Sequence, residues 1–262
     1  MQEKETSSGK ARPLEGRRIV VTRPVKQSIR FSELLGNLGS QVILMPTVEV
    51  SEPSDSQALD MALLRLADFD WVVFTSANAV EFFAESAKRM GVSVMEALSN
   101  TAVCCVGPET ARISESYGVD VELIPMVHTG QAIVELFGFR GNINGQTFLI
   151  PSGSEARAVV REGLEEMGAI VEAVAAYETN PVSEVSKEIL GEVKSGVDLL
   201  TFTSPSTVQS FHALVRGEVR SPAAVIGPVT ALEARKLGYE VVVHPNEYSV
   251  SGLLESIVQY FE

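Results

Sequence analysis

Internal repetition constrains this chain most, because a repeated order of elements has to fold as a repeated unit. Trp71-Val72-Val73-Phe74-Thr75-Ser76-Ala77-Asn78-Ala79-Val80 resembles Leu199-Leu200-Thr201-Phe202-Thr203-Ser204-Pro205-Ser206-Thr207-Val208, an offset of 128 residues (74 to 202). Val106-Gly107-Pro108-Glu109-Thr110-Ala111 resembles Ile226-Gly227-Pro228-Val229-Thr230-Ala231, an offset of 120 (107 to 227). The same offset pairs Gly118 with Gly238, Val121 with Val241 and Pro125 with Pro245. An offset of 129 pairs Leu35 and Gly39 with Leu164 and Gly168. Four blocks in one order make the chain two copies of one unit, about residues 17–138 and 145–262. Its 262 residues suffice for two domains of ordinary size.

Each copy alternates short β-branched runs with helical spacing. In the first, strands are expected at Arg18–Thr22, Val42–Leu44, Trp71–Phe74, Ala102–Val106 and Val121–Ile124. Helices are expected at Ser32–Leu38 (closed by Gly39), near Gln57–Ala67, from Asn78, from Glu109 and at Gly130–Phe137. The second copy repeats the strands at Thr147–Ile150, Val171–Ala175, Leu199–Phe202, Ala224–Ile226 and Val241–Val243. Strands separated by helices predict an α/β fold of two flavodoxin-like lobes, each a parallel sheet covered on both faces.

A net charge of −13 argues against nucleic acid or an anionic membrane as partner. No apolar run is long enough to span a bilayer, and the polar start, Met1 to Gly16, reads as a disordered tail on a cytoplasmic protein. An organelle stroma is the alternative compartment. Adjacent Cys104 and Cys105 read as buried thiols and point to opposite faces of a strand, a poor geometry for one metal. His128, His212 and His244 lack metal-ligand spacing, and no dinucleotide, Walker or nucleophile-elbow motif occurs, so the sequence implies no cofactor and no metal.

In open parallel sheets ligands bind beyond the carboxyl ends of the strands. Hydroxyl-rich turns occupy most of those positions here, and they include Arg23, Ser76, Asn78, Thr110, Ser152, Ser204, Ser206 and Thr230. One reading is that these residues only cap helices. The other is that turns from two lobes face one cleft and hold carboxylates or phosphates on backbone N–H groups. Arg23 and Arg157 are the basic residues nearest the turns. Tyr177 lies just past a strand, where the chain passes between lobes. It either packs locally or offers its phenol as a proton donor.

The blocks Val21-Thr22-Arg23-Pro24, Phe74-Thr75-Ser76-Ala77-Asn78, Val106-Gly107-Pro108-Glu109-Thr110, Ala176-Tyr177-Glu178-Thr179, Phe202-Thr203-Ser204-Pro205-Ser206 and Ile226-Gly227-Pro228-Val229-Thr230 resemble the uroporphyrinogen-III synthase family in order and spacing. The resemblance covers about residues 17–261. It implies two lobes joined by a two-stranded linker and not following the repeat boundaries. One lobe would hold 17–46 with 180–262 and the other 50–175, with linkers near 47–49 and 176–179.

The resemblance also implies a cofactor-free enzyme converting hydroxymethylbilane to uroporphyrinogen III, with loss of water and inversion of the last pyrrole ring. Tyr177 would assist departure of hydroxide. The other eight residues would bind substrate. A monomer is expected because the internal duplication already supplies both halves of a cleft, and transient hand-over of the bilane from hydroxymethylbilane synthase is a further expectation. Two other classes stay open: a two-lobed small-molecule binding protein without catalysis, and a receiver-type regulatory module. The first lacks the signal peptide an exported binding protein needs, and the second lacks the acidic pocket of a receiver.

Overall fold

The computed structural model describes residues 12–153 and 157–262, with the backbone alone at Arg157. The elements run β1 (Arg18–Val21), α1 (Val25–Asn37), β2 (Gln41–Leu44), β3 (Val48–Ser51), α2 (Gln57–Leu63), β4 (Trp71–Phe74), α3 (Ala77–Arg89), α4 (Val94–Ala97), β5 (Ala102–Cys105) and α5 (Pro108–Ser116). They continue as α6 (Gly130–Arg140), β6 (Thr147–Ser152), α7 (Arg157–Glu166), β7 (Ile170–Ala175), β8 (Glu178–Pro181) and α8 (Lys187–Lys194). Last come β9 (Leu199–Phe202), α9 (Pro205–Leu214), β10 (Ala223–Val225), α10 (Pro228–Lys236), β11 (Val241–Val243) and α11 (Val250–Phe261). No helix among the described residues is long and apolar enough to cross a membrane.

Two compact units result. Of the described residues, those up to Glu49 and Asn180–Glu262 form unit 1, and Val50–Thr179 forms unit 2. Unit 1 holds the parallel sheet β11-β10-β9-β1-β2. Unit 2 holds the parallel sheet β5-β4-β6-β7, and Leu123 adds an isolated parallel bridge to Cys104 at the free side of β5. Each unit therefore takes the first two strands of one sequence copy and the later strands of the other. Counted from the start of a copy, both sheets run 2-1-3-4-5, the flavodoxin-like order. The remaining strands, β3 and β8, pair with each other as a separate two-stranded sheet.

Parallel strands covered on both faces read as continuous apolar runs, and β4 (WVVF) and β9 (LLTF) are buried at every position. Alternation then divides unit 2's core. Val72, Phe74 and Leu149 meet Phe83 of α3 on one face, while Trp71, Val73 and Phe148 meet Phe137 of α6 on the other. Each such aromatic contributes roughly 1.5–3 kcal/mol by burial. In unit 1, α1 buries Ser28, Phe31 and Leu35, one face at helical spacing. The helix stops at Gly39, whose φ of +104° suits glycine and whose missing Cβ leaves room for the backbone of Glu15, 3.0 Å away.

Several expectations change, among them the first helix, which starts at Val25 and not at Ser32. The strand expected at Val121–Ile124 reduces to its single bridge, because Glu122 and Leu123 both donate to the carbonyl of Val103 and the ladder cannot advance. The helix expected to Ala67 ends at Leu63 and resumes as a 3-10 turn, Leu66–Asp68. Leu14, expected in a disordered tail, is fully buried, with its N–H donating to the carbonyl of Leu38. Residues 1–11 of that tail lie outside the described residues.

Candidate functional site

In the 2-1-3-4-5 order the chain leaves strands 1 and 3 in opposite directions, and the gap beyond their carboxyl ends is where ligands bind. Unit 1 has this switch point at β1/β9, followed by Thr22-Arg23 and Thr203-Ser204. Unit 2 has it at β6/β4, where Ser152 ends β6, Gly153 follows, and Thr75-Ser76 follows β4. Most residues expected from the sequence to act sit at one of these two places.

At unit 2's switch point Ser76 caps α3, its Oγ accepting the N–H of Ala79 at 3.2 Å. The same oxygen lies 3.1 Å from the hydroxyl of Tyr177. One serine thus ties a helix N-terminus to the phenol expected as proton donor. The half-buried Tyr177 ring stacks on Phe82 of α3, with centroids 5.9 Å apart. Asn78 lies in the first turn of α3 and is also half-buried. Ser152 is fully buried, and its Oγ has no partner among the described residues; nor has the buried Oγ1 of Thr75.

In unit 1 two buried threonine hydroxyls are bonded to backbone carbonyls of the sheet. Thr22 Oγ1 donates to the carbonyl of Thr201 at 2.7 Å, and Thr201 Oγ1 to that of Val20 at 2.8 Å. Ser204 caps α9 by accepting the Thr207 N–H, and its Oγ lies 2.8 Å from that of Ser206. Arg23 precedes α1, which has no side-chain cap and no acid in its first turn. Its Nη2 donates to Gln27 at 3.1 Å, but its buried Nε is unpartnered among the described residues. Burial lowers its pKa, and no carboxylate pairs with it among those residues. A guanidinium so placed calls for an anion.

Thr110 and Thr230 occupy matching positions in the first turns of α5 and α10. Both are nearly fully buried, so what these turns present outward is backbone behind the uncapped Gly107 and Gly227. Ser154 and the Arg157 side chain lie outside the described residues. Cys104 and Cys105 are free and buried, and burial pushes their pKa values up to about 12 and about 11, which makes them inert as nucleophiles. No group of three or more His, Cys, Asp or Glu among the described residues could hold a metal ion. Sequence reasoning passed over Gly153 and Phe82, which bracket the Tyr177 ring, since neither carries a reactive group.

Fold and site together define a class: a duplicated, doubly wound α/β protein whose polar groups are hydroxyls, a phenol, a guanidinium and helix N-termini. Such groups hold anions and move a proton. The model of the family described as uroporphyrinogen-III synthase HemD matches residues 29–255. The chain is 33% identical to the uroporphyrinogen-III synthase of Synechococcus elongatus, over 95% of this chain and 97% of that protein. It is 30% identical to a putative uroporphyrinogen-III synthase of Methanothermobacter thermautotrophicus, over 91% and 96%. Its fold is similar to the crystal structure of a mutant uroporphyrinogen III synthase from the extremely thermophilic bacterium Thermus thermophilus (TM-score 0.64, 17% identity, 94% of this chain and 98% of that one). The chain belongs to the uroporphyrinogen-III synthase family.

Proposed function

We propose that this chain cyclises hydroxymethylbilane to uroporphyrinogen III, releasing water and inverting the terminal pyrrole ring, as a lyase of tetrapyrrole biosynthesis. Family membership over most of the chain carries the reading. The site residues add chemical support. The substrate bears eight carboxylates, which suit uncapped helix N-termini and the guanidinium of Arg23, which pairs with no carboxylate among the described residues.

Tyr177 starts the reaction by donating its proton to the leaving hydroxyl. The C–O bond breaks with its electron pair on oxygen, water departs, and the pyrrole nitrogen supplies electrons to form an azafulvenium. Ser76 Oγ already accepts the Ala79 N–H, so its own proton is free to point at the phenol oxygen. That hydrogen bond and the positive end of α3 stabilise the phenolate as it forms. The substituted carbon of the last ring attacks, giving a spirocyclic pyrrolenine that fragments and recloses through the free carbon. The proton lost from that carbon returns to the phenolate, so one water leaves and nothing else changes. Hydroxymethylbilane closes unaided to the type I isomer, so folding it for one closure over the other is the larger task.

Ser76, Asn78, Thr110, Ser152, Ser204, Ser206 and Thr230 belong to the binding surface in this reading, through their hydroxyl, amide or backbone groups. Action as a cytoplasmic monomer supplied by hydroxymethylbilane synthase belongs to it too. The duplication supports the monomer by supplying both units in one chain. The test is product analysis. The protein is incubated with freshly generated hydroxymethylbilane, and the oxidised products are separated by chromatography. Mostly type III uroporphyrin is expected. Type I alone would mean that the chain binds without catalysing.

A further inference from the structure

Gly153 is required by a neighbour and not by its own backbone. It is absent from the glycines with left-handed φ, so an L-residue is conformationally admissible there. Space is what excludes one. A Cβ on Gly153 would lie 2.7 Å from Cζ, 2.8 Å from Cε2 and 2.8 Å from the hydroxyl oxygen of Tyr177. All three atoms belong to the hydroxyl end of the ring. Phe82 stacks on that ring, and Ser76 holds its hydroxyl at 3.1 Å. A Cβ there would make the phenol shift relative to its two fixed neighbours, Ser76 and Phe82.

We propose that Gly153 is a positioning residue for the cyclisation: its missing side chain is the slot that seats the hydroxyl of Tyr177 against Ser76. This rests on Tyr177 as the proton donor, and the test separates the two. In Gly153→Ala, kcat with hydroxymethylbilane falls about tenfold while KM moves less than about twofold. In a Tyr177→Phe background the same substitution lowers kcat less than about twofold further, because the hydroxyl it controls is gone. Fluorotyrosine incorporated at position 177 reports the displacement directly by fluorine NMR, and its resonance moves in Gly153→Ala.

An unmoved resonance overturns the proposal, as do effects that multiply in the double variant. A moved resonance beside a fully active Tyr177→Phe enzyme keeps Gly153 as the seat of the phenol and removes the phenol from the reaction. Should Gly153→Ala fail to fold, adding Tyr177→Ala must restore the fold by removing the clash. Failure to restore it also overturns the proposal.

Discussion

Both switch points have the same strand order, yet different side chains fill them. At β1/β9 the hydroxyls of Thr22 and Thr201 are bonded to backbone carbonyls, and the guanidinium of Arg23 has a buried Nε without a partner among the described residues. At β6/β4 two buried hydroxyls, Thr75 and Ser152, lack partners among the described residues, and a phenol crosses the gap. Duplication preserved the backbone feature that attracts anions, helix N-termini at a common sheet edge. The side chains differ: unit 1 carries the buried guanidinium of Arg23 at its switch point and unit 2 the phenol of Tyr177.

The comparison breaks most readily at Arg23. Replacing it by leucine should raise KM about thirtyfold, the loss of about 2 kcal/mol of charge-assisted hydrogen bonding, with a smaller change in kcat. The folded protein should at the same time gain about 1 kcal/mol in denaturant titrations, because an unsatisfied buried donor is removed. An unchanged KM would take the charge out of substrate binding.

Next in size, Tyr177→Phe should lower kcat about tenfold and leave type III the main product. That is below the usual range for a general acid because the leaving group departs unaided at a useful rate. Full activity would erase the contrast between the units. Ser76 and Ser204 sharpen it, being equivalent caps in the two copies. Changed to alanine, each should reduce stability by about 1 kcal/mol. Only Ser76→Ala should also lower kcat, about threefold, through the bond to the phenol. Matching kinetics in the pair would contradict the assignment.

A smaller effect appears in alkali. Burial raises Tyr239 of unit 1 from 10.0 to about 12 and Cys104 of unit 2 from 9.0 to about 12. Each group keeps its proton longer folded than unfolded. Their contribution is therefore complete below the unfolded value and is lost as pH rises towards the folded one. Stability should start to decline near pH 9 in the wild type, and Tyr239→Phe should remove only the part lost above about pH 10. Iodoacetamide at about pH 8 should leave both cysteines of the folded protein unmodified, and modification at native conditions would show that β5 opens.

Much of this was legible in residue order. The repeats, the apolar runs such as Trp71–Phe74 and Leu199–Phe202, and Gly39 after a helical stretch are local signals that mark elements wherever they pack. Ser76 and Ser204 could be recognised as caps, since capping depends on residues three apart. The linker strands β3 and β8 could not be read from periodicity: β3 (VEVS) alternates over only four residues, too few to mark a strand, and β8 (ETNP) has no apolar residue but its proline.

Sequence by itself determined that the chain is a duplicated α/β protein with hydroxyl-rich turns after its strands, because strand, helix and cap signals are carried by neighbours along the chain. Tertiary structure alone decided that each sheet draws strands from both copies, so that β1 lies beside β9 and β6 beside β4. It also decided that Tyr177 meets Ser76, 101 residues away, over a glycine that leaves room for it. Those contacts are set by which apolar faces close on one another, and that choice is made between distant segments, where no local pattern reaches.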